Sequence, residues 1–297
     1  MEYVLETNHL TKKFGNKLAL NDVNMHVERG EIYGFIGSNG AGKTTLMRLA
    51  LGLALPSEGS INLFGMPATD ASRARIGSLI ETPSIYKSYS AYENLKLFSI
   101  LYNFDERNIE NVLKMVGLSD TGNKSAGAFS LGMKQRLGIA IALLGNPEFL
   151  ILDEPVNGLD PAGIKDVRDL ILSLNREYGI TFLISSHLLD ELSKMVTKYG
   201  IINNGYLLEE ISAEELSHRC TNKLFITTQN IDGAINVLTG AFNGIILNVD
   251  NGRIVLSNYV ENAVDINRVL AENGILVSGL EVRAVGLEEY FVQRIGG

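Results

Sequence analysis

Gly37-Ser38-Asn39-Gly40-Ala41-Gly42-Lys43-Thr44-Thr45 reads G-x-x-x-x-G-K-T. The apolar run Ile32-Tyr33-Gly34-Phe35-Ile36 precedes it, and Leu46, Leu49 and Leu53 follow at helical spacings of three and four. Strand, glycine-rich loop and helix in that order make a phosphate-binding P-loop. Glycines let successive backbone N–H groups turn inward on a polyphosphate, and the helix N-terminus adds partial positive charge. Lys43 is expected to reach the β- and γ-phosphates, and the Thr44 hydroxyl to hold the Mg²⁺ that bridges them.

Upstream, residues 3–10 and 17–27 alternate apolar and polar side chains as half-buried strands do, with Lys13-Phe14-Gly15-Asn16 as the turn between them. An aromatic just ahead of a P-loop either joins the core or stacks on a base, and Phe14 taken alone leaves both open.

Downstream, residues 60–64 and 76–80 are short strand candidates, and Glu81 follows the second. Helical spacing covers 91–103 and 107–116, with Gly117 as a C-cap. Ser130 caps a further helix whose buried face is Leu137, Ala140, Ile141 and Leu144. Such a start either only caps its helix or also receives a phosphate.

Phe149-Leu150-Ile151-Leu152 is a continuous apolar run ending in Asp153-Glu154. A strand buried on both faces reads this way, and parallel sheets place ligands beyond the C-terminal ends of such strands. Asp153 is therefore a Mg²⁺-shell candidate, and Glu154 the residue to orient or deprotonate an attacking water. A helix at 161–177 starts at Asp160-Pro161, and the strand 181–184 leads into Ser185-Ser186-His187. His187 either caps that strand end or donates to a γ-phosphate. Alternating strands and helices imply a parallel sheet with right-handed crossovers, closed by a hairpin at 198–211 around Asn204-Gly205.

Composition shifts near 217–223. Beyond it the expected elements are strand 223–228, helix 232–239, strands 245–249 and 253–256 around Asn251-Gly252, helix 261–272, strand 276–283 and helix 286–294. The order β-α-β-β-α-β is the split βαβ, or ferredoxin-like, pattern. Two domains are expected, 1–219 and 220–297.

The chain has 297 residues, 45% of them hydrophobic and 20% charged, which suits a globular protein with a sizeable core. A net charge of −8 argues against a nucleic-acid-binding surface. One cysteine, Cys220, excludes an intrachain disulfide and fits a reducing compartment. The sequence Met1-Glu2-Tyr3-Val4-Leu5-Glu6 lacks the basic and apolar regions of a secretory signal. No uncharged apolar stretch approaches the ~18–20 residues that span a bilayer.

Taken together these motifs resemble the ATP-binding subunits of ABC transporters over about the first three quarters of the chain. The motifs are the P-loop, Phe129-Ser130-Leu131-Gly132-Met133 as the signature, Phe149 to Glu154 as Walker B, Asn157-Gly158-Leu159-Asp160 as the D-loop, and His187 as the switch histidine. The resemblance implies an α/β P-loop NTPase cassette with an antiparallel N-terminal β-subdomain and a helical subdomain at about 82–145. It implies ATP and Mg²⁺ as cofactors, and casts Phe14 as the aromatic stacked on adenine. Ser130, Gly132 and Met133 become contacts to ATP held by an opposite subunit, and Asp160 a dimer-interface residue.

Two departures mark this sequence. The signature reads S-L-G-M rather than S-G-G-Q, and Glu81 stands where most of the family has a Mg²⁺-ligating glutamine. A glutamate there, the segment Ile76 to Glu81 and the ending Leu287 to Gly297 are similar to the subgroup that handles antimicrobial peptides such as bacitracin and lantibiotics. The expected function is thus an ATPase subunit, homodimeric, driving a separate multi-span permease from the cytoplasmic face of the membrane. Glu81 and helices 91–116 are expected to meet that permease. The rival is a soluble ABC ATPase acting on ribosomes or DNA. A single cassette without heptads or a basic linker speaks against it.

Overall fold

Thr7 sits where one long strand is bracketed by two shorter ones. In the computed structural model, which describes residues 2–220, 222–284 and 286–295, β1 (Tyr3–Phe14) pairs antiparallel with β2 (Lys17–Val23) and with β3 (His26–Glu28). The expected strand 17–27 is therefore two. Thr7 Oγ1 donates to Val23 O and accepts the Met25 N–H, both at 2.9 Å, so a buried side chain bridges the break.

β4 (Ile32–Ile36) is buried at every position and delivers the chain to the P-loop and α1 (Lys43–Ala50). β5 (Glu58–Leu63) returns antiparallel to β1 and carries the two-residue β6 (Met66–Pro67) on its other side. α2 (Asp70–Arg73), capped by Thr69, leads to β7 (Ile76–Leu79). α3 (Ala91–Tyr102) and α4 (Ile109–Met115) follow, then α5 (Leu131–Leu143). Ser90 and Glu93 form a reciprocal capping box on α3, satisfying two otherwise orphaned donors. The remaining elements of the unit are β8 (Phe149–Asp153), α6 (Pro161–Tyr178), β9 (Thr181–Ser185), α7 (Leu189–Leu192), β10 (Lys198–Asn203) and β11 (Tyr206–Ser212).

The central sheet runs β11-β10-β4-β9-β8-β7, parallel throughout except for the antiparallel edge strand β11. β9 therefore lies between β4 and β8, placing three strand ends side by side. A core of Tyr33, Phe35, Leu46, Leu49, Phe149, Ile151 and Leu183 locks α1 to this sheet and to the N-terminal antiparallel layer. Each such fully buried side chain contributes about 1.5–3 kcal/mol relative to exposure.

The chain divides into two compact units, Met1–Ala213 and Glu214–Gly297. The division precedes the composition shift because α8 (Ala213–Arg219) is tied to the second unit: Arg219 Nη1 donates to Tyr290 Oη at 2.9 Å. That unit contains β12 (Asn222–Thr228), α9 (Ile231–Ala241), β13 (Leu247–Asp250), β14 (Arg253–Leu256), α10 (Ala263–Glu272), β15 (Val277–Ala284) and α11 (Leu287–Ile295). Its sheet order, β13-β14-β12-β15, is antiparallel at every pair, the arrangement of a split βαβ fold. Asn251 (φ 47°) and Gly252 (φ 73°) both take the left-handed conformation that a tight hairpin needs. Leu224, Ile226, Leu238, Ile254, Leu256, Ile266 and Leu270 form a separate core. Gly296 and Gly297, which end the C-terminal similarity, lie outside the described residues.

Candidate nucleotide site

Close approach fixes the loop. A Cβ on Gly37 would lie 2.3 Å from Ile202 O, so only glycine lets the loop pass beside β10. Gly42 has φ 116° and is pressed against Ala19 O, where a Cβ would stand at 2.7 Å. Lys43 is almost buried, and its Nζ donates to Gly37 O at 2.7 Å and Ser38 O at 3.2 Å, spanning the loop. Burial pushes the Lys43 ammonium below its ordinary range, while Glu154 and Asp153 pull it back up.

Thr44 Oγ1 donates to Asp153 Oδ2 at 2.8 Å, joining α1 to the end of β8. Asp153 is 5% exposed, and its other oxygen accepts from Ser185 Oγ at 2.5 Å. The same Ser185 hydroxyl accepts the Glu154 N–H at 2.9 Å. Glu154 has φ 52°, a conformation that a non-glycine residue holds only when its surroundings enforce it. Its Oε2 lies 2.7 Å from His187 Nδ1. With that nitrogen protonated, His187 donates to the carboxylate and orients it.

A cavity of about 310 Å³ lies over these groups. Its lining includes Phe14, Asn39, Gly40, Gly42, Lys43, Thr44, Thr45, Asp153 and Glu154, with Lys17 and Ala19 completing the wall. Phe14 stands at the mouth, 53% exposed, with Lys12 Nζ 4.8 Å from its ring centre. An exposed ring beside a phosphate loop is available for stacking rather than committed to the core.

The remaining predicted residues are placed elsewhere. The Glu81 carboxylate pairs with the Arg48 guanidinium, its side chain is 63% exposed, and it does not line the cavity. Ser130 caps α5 by accepting the Met133 N–H at 3.2 Å, and Asp160 caps α6 by accepting the Gly163 N–H at 3.0 Å. Ser130, Gly132, Met133 and Asp160 are absent from the cavity lining. Gly132 approaches α6, where its Cβ would lie 3.6 Å from Gly163 Cα.

Ser185 was not among the expected site residues. The only sequence signal was its place one residue ahead of Ser186-His187, because its pairing opposite Asp153 depends on strand register. Arg48 was likewise unmarked.

Comparison with known proteins agrees with this geometry. The family model described as ABC transporter matches residues 20–157. The bacitracin transport ATP-binding protein BcrA of Enterococcus faecalis is 40% identical, over 100% of this chain and 98% of its own length. The chain belongs to the ABC transporter ATP-binding proteins. The lantibiotic transport ATP-binding protein SrtF of Streptococcus pyogenes is 43% identical over 70% of this chain and 90% of its own. Among solved structures, cbiO1 of Clostridium perfringens, part of the ABC transporter complex cbiONQ, superposes with a TM-score of 0.67. It is 29% identical and covers 73% of this chain and 91% of its own. The cassette is thus an ATP-binding, ATP-hydrolysing subunit of an ABC transporter. No helix among the described residues is long and apolar enough to cross a membrane.

Proposed function

We propose that this chain binds ATP with Mg²⁺ at the cavity over Gly37–Thr45 and energises a separate membrane permease that exports antimicrobial peptides of the bacitracin or lantibiotic kind. The carrying observation is the convergence of Thr44, Asp153, Glu154 and His187 around Ser185, at the ends of α1, β8 and β9. The peptide class rests on the names of full-length and cassette relatives.

The donor set fits the cofactors. Among the described residues no cluster of three or more His, Cys, Asp or Glu holds a metal unaided. Thr44 and Asp153 offer the small oxygen set that suits Mg²⁺, whose other ligands are phosphate and water. When bound, Mg²⁺ supplies positive charge to the β- and γ-phosphates. The Gly37–Thr45 N–H groups and Lys43 cradle the phosphates, and Phe14 stacks on the base. Glu154 accepts the proton of the attacking water, and His187 holds its carboxylate in place.

Ser130, Gly132 and Met133 lie outside the cavity lining, so their contact with nucleotide calls for a second subunit. The chain then works as a head-to-tail homodimer, with Asp160 at the interface and the permease holding it on the inner face of the membrane. ATP favours the closed dimer through its higher affinity for that state.

Glu154→Gln tests the reading. It should keep ATP binding, lose ATP hydrolysis by ~100-fold or more, and accumulate as an ATP-loaded dimer in size-exclusion chromatography. Hydrolysis at the wild-type rate would remove Glu154 from the mechanism.

A further inference from the structure

The C-terminal sheet ends on a long strand. Among the described residues the eight-residue β15 pairs only with β12, so its outer edge carries a row of backbone donors and acceptors. It contains no proline, and its one register irregularity lies at the end near Thr228. Proteins usually blunt such an edge by proline, a bulge, shortness or a cover. The opposite edge, β13, follows that rule at four residues. On β15, Val282 is 50% exposed.

The charges on this edge are self-complementary. Glu281 and Arg283 share the sheet face opposite the core residues Leu224 and Ile226, and Arg283 Nε donates to Glu281 Oε1 at 2.7 Å. Arg283 is also held over the Phe225 ring, at 5.5 Å from its centre, with Arg253 at 5.4 Å. Consider a second copy paired antiparallel along β15 with the two-fold axis at Val282. Val282 then faces the partner's Val282, and Glu281 faces the partner's Arg283 twice. An axis at Glu281 or at Arg283 would instead oppose like charges, which destabilises a directly facing pair. An axis at Leu280 would leave Glu281 opposite the partner's Gly279, without a counter-charge. An axis on a residue also keeps the helices of both copies on one face of the joined sheet, because opposed residues share a face.

We propose that two copies of this chain associate through β15, edge to edge about Val282, extending the four-stranded C-terminal sheet across the pair. This contact is separate from the nucleotide sandwich of the cassettes and needs no ATP.

The test is sedimentation velocity on the full chain without nucleotide, across a concentration series. Wild type should self-associate. Glu281→Arg and Arg283→Glu should each weaken the association about tenfold, since each turns two opposed attractive pairs into repulsive ones. The double variant Glu281→Arg/Arg283→Glu should restore it, because the charges again alternate. Both side chains are about half exposed, so these variants leave the core untouched. A monomeric wild type, single variants without effect, or a double variant that stays weak would each overturn the proposal. As a second reading, Val282→Cys in a Cys220→Ser background should form a cross-linked dimer under mild oxidation, while Asn248→Cys on β13 should not. Equal cross-linking of the two would also overturn it. Run without nucleotide, neither measurement bears on the role of Glu154 in hydrolysis.

Discussion

Ser185 Oγ lies 2.5 Å from Asp153 Oδ1, and the same oxygen accepts the backbone N–H of Glu154. One buried hydroxyl thereby aims two neighbouring acids with different tasks. β9 supplies it because β9 lies between the P-loop strand and the acid strand, with Ser185 opposite both Phe35 and Asp153.

Ser185→Ala should therefore act twice. It leaves a buried carboxylate short of one donor and the Glu154 N–H without its acceptor. Leaving buried polar groups unpaired costs ~1–3 kcal/mol, so urea unfolding should show a loss in that range. ATP turnover should fall about tenfold with a smaller change in KM, because the misaligned acid acts on the chemical step. Wild-type turnover and stability together would show that Ser185 is a spectator.

Gly37 and Gly40 separate close approach from backbone conformation. At Gly37 a methyl group meets Ile202 O at 2.3 Å, whereas at Gly40 (φ +82°) nothing lies within 4 Å. Gly37→Ala should cost about 3 kcal/mol, the upper end of overpacking, because a backbone atom must move. Gly40→Ala should cost only the left-handed strain of about 1–2 kcal/mol. Chemical denaturation of both variants measures the difference, and equal losses would contradict the packing of the loop against β10.

Glu148 gives a pH-dependent prediction. Arg75 Nε at 2.6 Å and Arg29 Nη1 at 2.8 Å hold its carboxyl at about 2, below the ordinary 4.5. A depressed carboxyl stabilises the fold above pH 4.5, and that contribution is lost as pH falls from 4.5 to about 2. The side chain is 39% exposed, so solvent screening limits the pair to ~0.5–1 kcal/mol. Glu148→Gln should therefore be slightly less stable than wild type at pH 7, and the gap should close towards pH 2. A gap that is constant with pH would mean that packing, not charge, is what the substitution removes.

Much of this was legible in the residues. G-x-x-x-x-G-K-T between an apolar run and a helical pattern marks a phosphate loop, since each part has a local physical cause. Phe149 to Leu152 read as a doubly buried strand because its apolar run is unbroken, and β8 covers that run and one residue more, Asp153. The order of the C-terminal elements followed from periodicity and from Asn251-Gly252, whose left-handed conformations were the turn signal itself.

The sequence by itself thus determined the loop, the acids at the end of β8 and the order of strands and helices, because each depends on residues within one or two turns of one another. Only the tertiary structure decided which side chains meet. It set β9 between β4 and β8 and so brought Ser185 to Asp153, paired Glu81 with Arg48, and joined Glu210 to His26 and Tyr33 across most of the first unit. Strand order and register are set by packing between segments far apart in the chain, and no local period carries them.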